Sequence, residues 1–235
     1  MKIIGSVKED LVVEKRISIT PETVKKFTDL KFSVFLEKNY AGHLGITDEE
    51  YKDKGVNLYG SAKEVLEKSE IILKVNCPSN DEINLIKDKS ILIGQFDPIL
   101  NKEIINKLTK KDIQIFLINL LPRITKAQSM DVLSSQGNLA GYRAVIESVE
   151  EFDKAVPMMM TAAGTVAPAK VLVIGAGVAG LQAIATAKRL GGIVSATDVR
   201  LAAKEQVESL GGKFLSVKSD ENLETAGGYA KEAGE

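Results

Sequence analysis

The sequence predicts an α/β protein of two parallel-sheet domains, the second truncated after its third strand. Three observations predict this. Short apolar runs alternate with helical patterns along the whole chain, as in a parallel, doubly wound sheet. A continuous apolar run, Val171 to Ile174, is followed by glycines at GxGxxG spacing and a helical pattern. Beyond it only two further apolar runs occur, Gly192 to Thr197 and Lys213 to Val217. The expected division is 1–140 for the first domain and 141–235 for the second.

The elements read in order as follows. Lys2 to Val7 is a first strand. Thr20 is an N-cap and Pro21 the first helical residue, with Val24, Phe27 and Leu30 as the apolar stripe. Phe32 to Leu36 is a strand. Thr47 to Glu50 and Ser61 to Glu64 are capping boxes that open short helices. Glu70 to Val75, Ser90 to Ile93 and Ile113 to Ile118 are strands, with a helix from Asn101 to Lys110 between the last two. Gln128 to about Lys154 reads as one long helix, in which Gly137 and Gly141 are costly unless another backbone packs closely. The stretch Pro157 to Pro168, with three consecutive methionines, reads as a crossing between domains and as a buried connector.

The second domain carries the clearest chemistry. Gly175 permits the turn out of the strand, Gly177 lets a pyrophosphate approach the backbone, and Gly180 lets helix and strand pack closely. Ala176 and Val178 lie between them, where free N–H groups of a helix N-terminus meet negative phosphates. Asp198 closes the second strand. Its carboxylate is placed to accept the ribose hydroxyls of an adenosine and to repel a 2′-phosphate, which favours NAD over NADP. Val199 and Arg200 follow, and Arg200 weakens that exclusion slightly. Gly-rich helix starts also occur for packing alone, but strand, glycines, helix, second strand and terminal acid together form a Rossmann-like dinucleotide unit. Leu201 to Leu210 is its next helix. From Lys218 the tail has no regular apolar pattern and reads as a mobile loop. With three strands only, the strand Val171–Gly175 has one unpaired side, which is an aggregation hazard. The expectation is a fragment of a longer subunit or a chain completed by a partner.

Composition narrows the classes. The chain has 235 residues, 44% of them hydrophobic, and a formal net charge of −1. That balance indicates no attraction to nucleic acid or an anionic membrane. No apolar stretch reaches transmembrane length, and charge stands where a signal peptide needs an apolar core. Cys77 is the single cysteine, so there is no disulfide framework and no Cys-rich metal site, which fits a reducing cytosol. His43 is the single histidine, so any mechanism with a histidine base must use it.

Polar groups concentrate in Arg123 to Asn138. Gln128, Asp131 and Ser135 recur at helical spacing, as do Asp131 and Ser134. Such a face suits a nicotinamide ring, with Arg123 and Gln128 donating to the carboxamide oxygen and Asp131 and Ser134 holding ribose hydroxyls. A plain helix start with a solvated face reads equally well from these residues. Arg16 and Lys74 are candidates for a substrate carboxylate, although ordinary surface charge is the simpler reading. His43 reads as a loop histidine held by backbone. Tyr229 is either a cover for a bound nucleotide or a loop aromatic.

The stretches RITKAQSMDVLSSQGNLAGYRAV, PMMMTAAGTVAPAKVLVIGAGVAGLQAIATAKRLGG, ATDVR, KEQVESLGGKF and ETAGGYAKE resemble the NAD(H)-binding N-terminal domain of the alpha subunit of proton-translocating NAD(P) transhydrogenases. VKED, EKRISITPE and KVNCP are similar to the wider group that includes alanine dehydrogenase. The resemblance implies that the domain binds NAD(H) and passes hydride directly to NADP⁺ held on a partner domain. Coupling to proton movement runs through a membrane domain, so partners are the membrane and NADP-binding subunits, with a homodimer expected. It also implies a cytoplasmic position, peripheral on the inner face of the cytoplasmic membrane through those subunits. Arg123, Gln128, Asp131 and Ser134 match the motif that places the nicotinamide and its ribose, Asp198 the adenosine-ribose acid, and Tyr229 a mobile loop over the nucleotide. The family domain continues beyond this chain's end. Alanine dehydrogenases use a histidine where ILIGQFDP has Gln95, which argues against amino-acid oxidation, since a substrate amine needs a proton acceptor. The alternatives are an NAD-dependent amino-acid dehydrogenase of the alanine dehydrogenase type and a non-catalytic truncated nucleotide-binding fragment.

Overall fold

A computed structural model describes residues 2–122 and 124–216. The chain forms two compact units that divide between Asp131 and Val132.

In the first unit six strands form one parallel sheet. They are β1 (Ile3–Ser6), β2 (Ser33–Glu37), β3 (Asn57–Tyr59), β4 (Ile71–Leu73), β5 (Ile91–Gly94) and β6 (Gln114–Leu117), in the order β3-β2-β1-β4-β5-β6. The order reverses at β1, which pairs with β2 on one side and β4 on the other. Helices α1 (Pro21–Asp29), α2 (Asp48–Lys52), α3 (Ala62–Lys68), α4 (Asn80–Leu85) and α5 (Lys102–Lys110) make the crossovers. The caps behave as their chemistry dictates: Thr20 accepts from the Thr23 N–H ahead of Pro21, and Thr47 and Glu50 satisfy each other's backbone donors. Ser61 caps α3, while the Glu64 carboxylate reaches the Gly60 N–H instead of that of Ser61. Two cores result. One gathers Val65, Leu66, Ile72, Leu92 and Leu108; the other gathers Ile19, Val24, Val34, Leu36 and Tyr51. Each fully buried side chain of this size contributes about 1.5–3 kcal/mol.

Three expectations for this unit are revised. Leu30 is 69% exposed and does not join the apolar stripe of α1. Strand β3 and helix α4 were not anticipated, since NLY is short and the Ser79–Glu82 capping box lies between turn residues. The long helix expected from Gln128 does not start there. Thr125–Met130 is a 3₁₀ run closed by the Asp131 N–H on the Gln128 carbonyl, and Asp131 leaves helical geometry at φ −75°, ψ 89°.

The second unit opens with α6 (Val132–Glu150) and continues through β7 (Met159–Thr161), β8 (Gly164–Val166), β9 (Lys170–Ile174), α7 (Val178–Arg189), β10 (Ile193–Thr197), α8 (Ala203–Ser209) and β11 (Lys213–Phe214). Among the described residues its parallel sheet has three strands in the order β11-β10-β9. Strand β9 is therefore an edge, and Leu172 and Ile174 on it are 57% and 81% exposed. A groove of about 450 Å³ runs along this edge, lined by Val145 and Val149 of α6, by Phe152 just beyond it and by β9 itself. Gly141 lets α6 lie on α7: a Cβ there would stand 2.0 Å from the Ala179 carbonyl oxygen. Gly137 meets nothing closer than a Val178 methyl at 4.0 Å, so packing explains only one of the two glycines.

The Met-rich stretch is not a buried connector. It forms the β7–β8 hairpin, with Met158, Met159 and Met160 between 47% and 75% exposed. The two strands pair antiparallel around the turn at Ala162–Ala163 and stay exposed along their length. The sequence-expected loop from Lys218 lies outside the described residues. No helix among the described residues is long and apolar enough to cross a membrane.

Candidate functional site

The turn between β9 and α7 is built by three glycines with three different tasks. Gly175 has φ +92°, a left-handed conformation that a side chain disfavours. Gly180 admits no Cβ, because the Gly175 carbonyl oxygen would lie 1.8 Å from it. Gly177 is the N-cap of α7 in extended geometry, and no side chain caps the helix there. A Cβ on Gly177 would meet nothing within 4 Å. Open space therefore lies in front of uncapped first-turn N–H groups, beginning at Val178. That is the arrangement that accepts a phosphate.

Asp198 stands just past β10, beside this turn. Register aligns the two strands, Thr197 opposite Ile174, and the Gly175 N–H donates to the Thr197 carbonyl at 2.8 Å. The Asp198 carboxylate then accepts the Ala176 N–H on Oδ2 at 2.6 Å. Its Oδ1 accepts the Arg200 backbone N–H at 2.8 Å and Nε at 2.9 Å, while Arg200 Nη2 donates to Oδ2 at 3.0 Å. The Arg200 guanidinium, aided by the two backbone donors, holds the carboxyl down at about 2. Asp198 is thus ionised, and its side chain is only 6% exposed. Ala176 is fully buried, whereas Val178 and Val199 are about half exposed at the rim. Glycine turn, acid and arginine come together within one unit.

The other expected site residues divide. Gln128 is exposed in the 3₁₀ run, Asp131 ends that run, and Ser134 lies in the first turn of α6. The single helical face expected for them is interrupted at Asp131, so helical spacing does not relate Gln128 to Ser134. Arg123 and Tyr229 lie outside the described residues.

Lys74 is not a surface charge, whereas Arg16 keeps a 41% exposed side chain. Arg16 makes a fork with Glu14, Nε to Oε1 at 2.8 Å and Nη2 to Oε2 at 2.6 Å. Lys74 is buried, with Nζ 2.6 Å from Glu82 and 3.6 Å from Glu9. Glu82 also caps α4 by accepting the Ser79 N–H at 2.7 Å. Burial pushes the Glu9 carboxyl up, against the pull of Lys74 and the Val75 N–H. These carboxylates escaped the sequence reading; only Glu82 left a signal, the SxxE spacing from Ser79. Cys77 beside them is pushed up to about 11 by burial, which leaves it a poor nucleophile. His43 is held by backbone, Nε2 lying 2.8 Å from the Lys15 carbonyl oxygen. Among the described residues no cluster of three potential metal ligands exists.

Residues 5–140 match the family model "Alanine dehydrogenase/PNT, N-terminal domain", and residues 144–232 match "Alanine dehydrogenase/PNT, C-terminal domain". A protein of Rhodospirillum rubrum named as the first portion of a divided NAD(P) transhydrogenase subunit alpha is 52% identical over 229 residues, covering 94% of this chain and 60% of that protein. The protein of the same name from Rickettsia prowazekii is 48% identical, over 99% of this chain and 62% of that one. Among solved structures, the transhydrogenase from Sinorhizobium meliloti superposes with a TM-score of 0.87 at 50% identity, covering 92% of this chain and 64% of that one. The chain thus spans about 60% of the length of the curated relatives it matches.

Proposed function

The chain belongs to the alanine dehydrogenase/PNT family, and from that membership we propose that it is the NAD(H)-binding part of a transhydrogenase that exchanges hydride between NAD(H) and NADP(H). In the full complex this exchange is coupled to proton translocation. The observation that carries the reading is the Asp198 carboxylate tied to the Ala176 N–H, which sets a ribose acceptor beside an open, uncapped helix start.

The residues divide the nucleotide between them. The first-turn N–H groups of α7 take the pyrophosphate, with Gly177 leaving it room. Asp198 takes the adenosine ribose. Arg123, Gln128, Asp131 and Ser134 orient the nicotinamide end, and Tyr229 covers the bound nucleotide. Hydride leaves C4 of one dihydronicotinamide with its electron pair and arrives at C4 of the other ring. No proton moves at the reacting carbons, so no side-chain base is needed; placement of the two C4 atoms at roughly 3–3.5 Å carries the catalysis. NADP(H) is held on a partner domain. The partners are the membrane and NADP-binding subunits and a second copy of this chain, for which the exposed Met159–Val166 hairpin offers an apolar surface. The domain lies in the cytoplasm, peripheral on the inner face of the membrane through those subunits.

Amino-acid oxidation is disfavoured by the first unit. Of the two cations considered for a substrate carboxylate, Lys74 is buried and already held by Glu82 and Glu9. The deciding experiment mixes the chain with NADH, an NADP analogue of shifted absorbance and the NADP-binding partner. Hydride exchange without alanine or pyruvate is expected; alanine-dependent NADH formation would overturn the reading.

A further inference from the structure

We infer that Arg200 is a built-in occupant of the adenosine-ribose subsite, whose guanidinium must leave Asp198 before a nucleotide ribose can bind. The inference rests on the NAD(H) reading above and goes beyond it, because it makes the subsite self-blocked and assigns Arg200 the control of selectivity.

A carboxylate offers about four acceptor positions. In Asp198 all four are filled. Two donors are backbone N–H groups, Ala176 on Oδ2 and Arg200 on Oδ1, and these fix the carboxylate against the glycine turn. The other two are Nε on Oδ1 and Nη2 on Oδ2, the parallel fork of a bidentate arginine–carboxylate pair. A vicinal ribose diol presents two O–H donors and needs one acceptor position on each oxygen. The backbone donors cannot withdraw without opening the turn, whereas the guanidinium ends a side chain that is 20% exposed. The diol therefore exchanges with the guanidinium.

Two consequences follow. Affinity for a nucleotide is lowered by the pair that must first be broken. A ribose lacking the hydroxyls has nothing to offer in exchange and leaves the pair intact. A partly exposed ion pair of this kind sets the toll at roughly three- to tenfold in affinity.

The test compares AMP with 2′,3′-dideoxy-AMP, titrated calorimetrically into the full chain and into R200Q. The expected result is AMP binding three- to tenfold tighter in R200Q, with dideoxy-AMP unchanged within about twofold. R200K, which keeps the charge but has no fork, is expected to fall between, and it keeps the test valid should R200Q fold poorly. Weaker AMP binding in both variants would overturn the inference, as would an equal gain for both nucleotides. D198A separates the two levels: unchanged AMP affinity there overturns the ribose assignment itself, whereas lost AMP affinity with no gain in R200Q or R200K overturns only the role of Arg200.

Discussion

The Asp198 carboxylate accepts the Ala176 N–H at 2.6 Å, so the acid after β10 and the glycine turn before α7 are one rigid unit. Substitution at Asp198 is therefore expected to act twice, removing the proposed ribose acceptor and loosening the turn. Asp198→Ala is expected to weaken NADH by roughly ten- to a hundredfold, on the strength of hydrogen bonds to a charged group, and to reduce discrimination against NADPH. NADH fluorescence is the direct measurement, since the chain contains no tryptophan. Unchanged NADH affinity would sink the ribose assignment.

The glycines separate stability from binding. Gly180→Ala drives a Cβ onto the Gly175 carbonyl, and such overpacking costs about 1–3 kcal/mol or more. Gly177→Ala meets open space in an extended backbone, so stability should fall by less than about 1 kcal/mol. Its methyl nevertheless enters the open space proposed for the pyrophosphate. Urea midpoints and NADH titrations are expected to respond to different variants: G180A loses stability first, G177A loses affinity.

The same contrast shows what was legible in the sequence. The geometry at Gly175, Gly180 and Asp198 was readable because each answers to local structure: a left-handed turn, a close approach, a strand end. Thr20, Thr47 and Ser61 are legible for the same reason, since a cap needs only its own first turn. The break at Asp131 was not legible, because the polar spacing of Gln128 to Ser135 satisfies a helix equally well. The Glu9–Lys74–Glu82 cluster was hidden more deeply. Glu9 and Lys74 are brought together by the pairing of β1 with β4 in the sheet, a long-range contact that no local pattern records. The β7–β8 hairpin misled through composition, since three methionines in a row suggest burial.

The low pKa of Asp198 predicts a flat pH response. A carboxyl depressed from 3.8 to about 2 stays ionised down to that value. Its contribution to stability is complete above the unfolded value near 3.8 and is lost as pH falls through about 2. NAD⁺ affinity should therefore hold from pH 7 to about pH 4, wherever the chain stays folded. A decline centred between about pH 4 and 5 would show that Asp198 is not ionised in the way its partners require.

The nicotinamide end is tested by Arg123. If Arg123 meets the carboxamide, Arg123→Ala should slow hydride transfer to the NADP analogue by about ten- to a hundredfold, the loss of one charged hydrogen bond that positions the ring. AMP, which lacks that ring, should bind within about twofold of wild type. Equal losses of AMP and NADH affinity would place Arg123 at the other end of the nucleotide.

Lys74 tests what the first unit is for. Its ammonium is buried between Glu82 and Glu9, two carboxylates that share one cation. Removing one partner of a buried pair strands the other charges, at a cost of about 3–5 kcal/mol. Glu9 offsets part of this, because burial already raises its pKa and it takes up a proton more readily. Lys74→Met should therefore unfold at markedly lower urea, with the loss growing as pH rises and the buried Glu9 ionises. A Lys74 that serves folding leaves hydride exchange per folded molecule near wild type. A Lys74 that holds a substrate carboxylate would instead lose amino-acid-dependent turnover outright, with stability little changed. Urea denaturation at acidic and at neutral pH, run beside single-turnover hydride transfer, distinguishes the two.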